Sequence, residues 1–300
     1  MAVSSLVCGN EHGLPLNTVE WLVTHHESKV VERTQMIRDL QLIPGSLVID
    51  AGCGPGLWTP LLAEAIGPTG CIVGVDISLE ALVTAQRRCQ QSGYRHQVQY
   101  KRASLEQLPL DHGIADVIFS ANVSQYLEDP VETFAAMSRY LVQGGRLIVK
   151  DIDFGSLRFS PVDPALQECV FTARKRWELE RIAQGYAYED SWVGPKLAGY
   201  LEAAGYQQVE THTYHIMRRA PLTRSMFTYL QGLAEWFVCE DVPYLSDKDV
   251  TIWLQAFLDE ETCVLLANNF QYEETEYVVT GVRCAGTASR YFSMQVPLCP

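Results

Sequence analysis

Asp50, Gly52, Gly54 and Gly56 fall within one short stretch, and Asp76 follows Gly56 by about 20 residues. Each glycine removes a Cβ where the main chain must turn and a ligand must lie against it. The helix expected to begin near Leu57–Trp58 presents unpaired N–H groups, which favour a carboxylate or a phosphate. The dinucleotide fingerprint G-x-G-x-x-G does not fit. Counted from Gly52, its third glycine falls on Leu57; counted from Gly54, it falls on Thr59. What remains is an acid followed by G-x-G-x-G. Cys71–Asp76 is an apolar run ending in an acid, which places Asp76 to accept hydrogen bonds from both hydroxyls of a ribose. A doubled acceptor without a positive neighbour suits an adenosyl group and rejects a 2′-phosphate.

The run Val48-Ile49-Asp50-Ala51-Gly52-Cys53-Gly54-Pro55-Gly56 resembles motif I of the class I S-adenosylmethionine-dependent methyltransferases. Arg102–Pro109 and Asp116–Ser120 resemble the third and fourth signatures of that family. Aligned on Leu108-Pro109, Ser104 stands where the family usually carries an aspartate for the adenine amino group. Serine still accepts a hydrogen bond but has no charge. Leu105 takes the neighbouring position, whose N–H meets the ring. Asn122–Pro130 resembles the loop beside the methionine part of the cofactor, and Gly144–Asp151 the turn and strand that follow a helix. The resemblance is close over about residues 40–155 and implies S-adenosylmethionine as cofactor. It implies cofactor contacts from Asp50, Gly52, Cys53, Gly54, Gly56, Asp76, Ile77, Ser104, Leu105 and Asn122. The group it resembles includes ubiquinone/menaquinone-biosynthesis and natural-product methyltransferases. It is silent on the methyl acceptor.

These residues need a framework. From 40 to 150 the pattern reads strand, helix, strand, helix, strand, helix, strand, helix, strand, which implies a parallel sheet with ligand at its carboxyl edge. Gln208–Met217 and Tyr277–Val282 alternate like strands and, in family terms, form an antiparallel hairpin at the sheet edge. The expected fold is α/β: a Rossmann-like seven-stranded sheet with an antiparallel edge hairpin, N-terminal cover helices and an inserted helical lid. One domain spans 1–300, with a cover helix at 17–44, a cofactor-binding core at 45–155, substrate-cap insertions at 156–196 and 218–272, and a tail at 285–300.

Within the cover, His25, Lys29 and Arg33 are four apart and share one side of a helix, facing either the ligand or solvent. The second insertion carries two apolar stripes, Met226 to Val238 and Ile252 to Leu258. Such stripes roof an organic substrate, or else form a satellite core or a homodimer interface. Tyr126, Tyr186, Tyr188, Trp192, Phe227, Leu230 and Trp236 are the expected acceptor-pocket residues.

Composition narrows the partners. Hydrophobic residues make up 47% of the chain and charged residues 20%, enough apolar material for a full core. With 23 Lys+Arg against 36 Asp+Glu the formal charge is −13, a field that repels phosphate backbones and disfavours nucleic acid. Arg174-Lys175-Arg176 is the one basic cluster against this. Nine cysteines are scattered without a C-x-x-C pair, so a reduced, cytoplasmic protein with no metal site is expected. No apolar run approaches the roughly 18 residues needed to span a bilayer.

Methyl transfer from a sulfonium is an in-line displacement that depends on alignment, and positioning alone lowers such barriers by roughly 7–11 kcal/mol. A hydroxyl or protonated amine acceptor also needs a base. His25 and Asp151 are the first candidates, with His26, Asp153 and His215 behind them. The leading expectation is transfer to oxygen, nitrogen or carbon of a small or medium organic molecule. Transfer to protein or RNA, or a non-catalytic adenosyl-binding subunit, are the alternatives.

Overall fold

The computed structural model describes residues 9–185, 189–239 and 242–284. Tyr186, Tyr188 and the expected tail at 285–300 lie outside the described residues. Seven strands form one sheet: β1 (Leu47–Ala51), β2 (Cys71–Asp76), β3 (Val98–Arg102), β4 (Ala115–Ala121), β5 (Leu141–Ser160), β6 (Gln207–Arg219) and β7 (Gln271–Val282). Their order is β3-β2-β1-β4-β5-β7-β6. The first five are parallel. β7 runs antiparallel between β5 and β6, which is the expected hairpin. Strand order reverses between β1 and β4, and a crevice opens where the chains leaving those two strands diverge.

Helices cover the sheet: α1 (Val19–Ser28), α2 (Val30–Asp39), α3 (Thr59–Ile66), α4 (Leu79–Gln90), α5 (Pro130–Met137), α6 (Pro164–Ala183), α7 (Leu197–Ala203), α8 (Arg224–Val238) and α9 (Asp247–Leu258). Local chemistry sets their starts. The side chains of Thr18, Ser78, Asp129, Thr223 and Ser246 each accept from a first-turn N–H.

Three expectations need correction. The cover is two helices, because Lys29 leaves helical geometry at φ −134°, ψ 20°. No helix forms between β3 and β4: residues 103–114 are turns, with Pro109 and the positive-φ Gly113 in a connection too short to hold one. β5, β7 and β6 also run well past the four strands β1–β4, paired to Ser160↔Gln271 and Arg219↔Gln271, with a register shift in β5 between Asp153 and Arg158.

That long ribbon builds the cap. Its far end and α6, α8 and α9 enclose an aromatic core separate from the two that flank the sheet. Phe171 stacks on Phe237 at 4.3 Å, and the Trp253 indole N–H donates to the Ala234 carbonyl at 2.8 Å. Among the described residues no helix is long and apolar enough to cross a membrane.

Candidate active site

At the crevice between β1 and β4 the loops enclose a cavity of about 300 Å³. Its floor is the turn after β1, the end of β2 and the segments leaving β3 and β4. Its roof is Asn10, His12, Leu14 and Asn17 from the N-terminal segment, with Leu22, His25 and Arg33 from the cover helices.

Main-chain bonding makes the turn. The Gly52 and Cys53 N–H groups both donate to the Val75 carbonyl, at 2.8 and 3.0 Å. The Gly54 N–H donates to Asp76 Oδ2 at 2.8 Å. Gly54 has φ 51°, and a Cβ there would meet only Leu22 Cδ1, at 3.6 Å, so this point of the turn is open to the cavity. Gly56 serves a different purpose. A Cβ there would lie 2.8 Å from the Tyr100 hydroxyl and 3.1 Å from Ala85, so its absence lets α4 and β3 pack beneath the turn.

Asp76 accepts from Ser78 N–H at its other oxygen, at 2.8 Å. Each carboxylate oxygen keeps a further acceptor position for a sugar hydroxyl. Burial raises the pKa of Asp76, while the N–H groups of Ser78, Gly54 and Ile77 work against that rise. Ile77, Ser104, Leu105 and Asn122 also line the cavity, with Gly52 and Cys53. Asp50 and Gly56 do not reach it. Asp50 is buried beneath the turn, where its Oδ2 accepts from the Thr59 hydroxyl at 3.4 Å. Burial pushes its pKa up to about 7. Both residues shape the turn from below.

The opposite wall is cationic. Arg33 is 2% exposed, and its Nη1 lies 2.7 Å from His26 Nδ1. Its Nε and Nη2 have no hydrogen-bond partner. Behind it, Lys29 Nζ sits 2.6 Å from Glu274 and 3.2 Å from Glu276, and Lys150 Nζ sits 2.7 Å from Glu276. All four of these side chains are fully buried. Three cations therefore face two carboxylates, and the surplus positive charge meets the cavity at Arg33. A buried ionic donor left unpaired costs at least about 1–3 kcal/mol, so this wall fits a bound anion.

The two histidines stay neutral beside these cations. Burial and Arg33 push the pKa of His26 down to about 3. Burial, then Lys29, Arg33 and Lys150, push that of His25 well below its ordinary value. His25 lines the cavity, its Nε2 has no partner, and its ring stacks on Tyr229 at 5.1 Å and 8°. Asp151 stands elsewhere. It is buried outside the cavity wall, its Oδ2 accepts from Ser124 N–H at 3.0 Å, and burial raises its pKa to about 7.

Of the expected acceptor-pocket residues, Tyr126 lines the cavity and donates its hydroxyl to the Pro15 carbonyl at 2.7 Å. Trp192, Leu230 and Trp236 are buried in the cap core, and Phe227 packs against it. The aromatic stripes of the insertion satisfy one another and leave the cavity to the N-terminal segment. The cap touches the site through Tyr229, whose ring braces His25 and whose hydroxyl accepts from Lys29 at 3.2 Å. Arg174 is buried between the rings of Trp177 and Trp236, at 4.6 and 4.0 Å, so only Lys175 and Arg176 of the basic cluster reach the surface, and Arg176 is paired with Glu180 at 3.1 Å. Among the described residues, no group of three or more His, Cys, Asp or Glu is placed to hold a metal ion.

Asn10, His12, Leu14 and Asn17, and the ion pairs behind Arg33, are not among the residues expected from the sequence. Tyr272, Glu274, Glu276 and Val278 share one face of β7 at strand period, with buried apolar residues at both ends.

Residues 44–194 match the family described as "Methyltransferase domain". The chain is 30% identical over 172 residues to a ubiquinone biosynthesis O-methyltransferase of Aromatoleum aromaticum, covering 56% of this chain and 67% of that protein. It is 30% identical over 128 residues to a malonyl-[acyl-carrier protein] O-methyltransferase of a Marinomonas species, covering 43% of this chain and 45% of that one. It spans under half the length of several curated relatives that it matches. The YcgJ protein of Bacillus subtilis shares the fold, with TM-score 0.53 and 17% identity over 87% of this chain and 100% of that one.

Proposed function

This chain belongs to the class I S-adenosylmethionine-dependent methyltransferases, and from that premise we propose that it methylates an oxygen, nitrogen or carbon of a small or medium-sized organic molecule. One observation carries the reading. The open turn at Gly54, the acceptor Asp76 and Arg33, with two unpaired guanidinium nitrogens, line one cavity. When bound, S-adenosylmethionine supplies an electrophilic methyl group on a sulfonium leaving group.

The chain's own residues bind and orient. Asp76 takes the ribose hydroxyls, Ser104 and Leu105 the adenine, and Arg33 the methionine carboxylate. His25 Nε2, neutral and unpaired at the roof, takes the proton from a hydroxyl or amine acceptor as transfer proceeds. Tyr126, tied to Pro15, and the segment above it keep water away from the reacting atoms.

Relatives named for ubiquinone biosynthesis support a small-molecule acceptor. A cytoplasmic setting belongs to the same reading, supported by the unbridged thiols Cys53, Cys71, Cys89, Cys169 and Cys263. The test is incubation with methyl-labelled cofactor and the host's small-molecule extract, followed by mass identification of labelled products. Label in an organic product is expected. Label confined to protein or RNA overturns the reading.

A further inference from the structure

Lys150 does not line the cavity, yet it holds a residue that does. We propose that Lys150 is a positioning residue that fixes the Asn122 side-chain amide with its NH2 group aimed at a carboxylate of the bound cofactor. This rests on the cofactor reading above.

Asn122 directly follows β4 at the cavity wall with φ 58°. Its main-chain N–H donates to the Lys150 carbonyl at 2.7 Å, and its Oδ1 accepts from Lys150 Nζ at 2.7 Å. An ammonium has three donors and no acceptor. The amide oxygen must therefore face Lys150, and the NH2 group must point away from it. An asparagine at a binding wall is ordinarily able to present either end. A buried charge here removes that freedom.

The charge is itself held in place. Lys150 has no exposed surface, and burying a lone ammonium is unfavourable. Glu276 on β7 offsets this at 2.7 Å and reaches Lys29 at 3.2 Å, so the line Lys29, Glu276, Lys150, Asn122 runs from the cover helices to the loop after β4. Around Lys150 stand Glu276 from β7, Lys29 and Arg33 from the cover, His25 from α1 and Asp151 next along β5. Burial, with Arg33 and Lys29, brings the Lys150 pKa down to about 8 despite Glu276. A neutral amine accepts as well as donates, so above that pH the amide is free to turn over.

The experiment is calorimetric titration with S-adenosylhomocysteine of the wild type, Asn122→Asp, Asn122→Ala, Lys150→Met, the double variant Asn122→Ala/Lys150→Met, and Lys150→Arg. Asn122→Asp keeps Lys150 paired but offers no donor, so binding weakens about tenfold or more. Lys150→Met weakens binding in the wild-type background and adds no further loss to Asn122→Ala. Lys150→Arg retains affinity and abolishes the decline that the wild type shows from pH 8 to 9. Wild-type affinity in Asn122→Asp, or an equal loss from Lys150→Met in both backgrounds, overturns this inference alone. No binding by the wild type at any pH overturns the cofactor reading, and this inference with it.

Discussion

The Arg33 guanidinium carbon lies 4.9 Å from the centre of the Trp58 ring, with Nε and Nη2 unpaired. Trp58 caps the start of α3, so one contact joins the cover to the glycine turn. Hydrogen bonds to charged groups contribute about 1.5–3 kcal/mol. Arg33→Met should therefore weaken S-adenosylhomocysteine binding roughly 10- to 100-fold by calorimetry. The thermal midpoint of the ligand-free protein should hold or rise, because an unmatched buried cation has gone.

His25 sits beneath three cations and stays neutral through the physiological range, since its pKa lies well below 6.5. For a hydroxyl or amine acceptor, His25→Gln should lower kcat about 10²- to 10⁴-fold. Affinity for S-adenosylhomocysteine should stay near the wild-type value. Because the folded protein does not protonate this ring between pH 8 and 6.5, wild-type kcat should show no histidine-like fall there. Steady-state rates across that range check both outcomes.

Asp151 makes a stability prediction in place of a catalytic one. Its pKa is about 7 when folded and near the ordinary 3.8 when unfolded. Between those values the folded state holds a proton that the unfolded chain has lost, so stability from this group falls as pH rises from about 4 to 7. Asp151→Asn keeps an acceptor for the Ser124 N–H without the charge. It should be nearly neutral below about pH 4 and stabilising at pH 8 by about 1 kcal/mol or more, or roughly 2–4 °C in the melting midpoint. Activity should persist, since this side chain is outside the cavity wall.

The sheet was legible because its strands are local apolar runs broken by turn residues. The Gly52–Gly56 turn and Asp76 announced themselves by spacing within about 25 residues. The connection between β3 and β4 misled because a helix in that place follows from alternation, whereas the short segment with Pro109 and Gly113 forms turns. The roof was invisible for another reason. Asn10, His12, Leu14 and Asn17 have no periodicity, and they are held by long-range ties such as Ser78 to Glu11 at 2.7 Å and Tyr126 to Pro15. Glu274 and Glu276 alternate with their neighbours as a solvent face does, although burial shows the reverse.

The cap offers a contrast between structure and binding. Trp236 is fully buried, meets Phe154 edge-on at 5.0 Å and covers the Arg174 guanidinium at 4.0 Å. Trp236→Ala should lower the unfolding free energy by about 3–5 kcal/mol in denaturant titrations. Below its melting range the variant should keep near-native affinity for S-adenosylhomocysteine. A stable variant with a raised KM for the acceptor would instead place Trp236 in the substrate pocket.

The central claim is that the turn opened by Gly54 and the carboxylate of Asp76 together seat an adenosyl group. Calorimetric titration of the wild type and Asp76→Ala with S-adenosylhomocysteine tests it most directly. Saturable one-site binding by the wild type, weakened about 100-fold or lost in the variant, is the predicted result. Equal affinity in the two proteins, or no heat from the wild type, would contradict it.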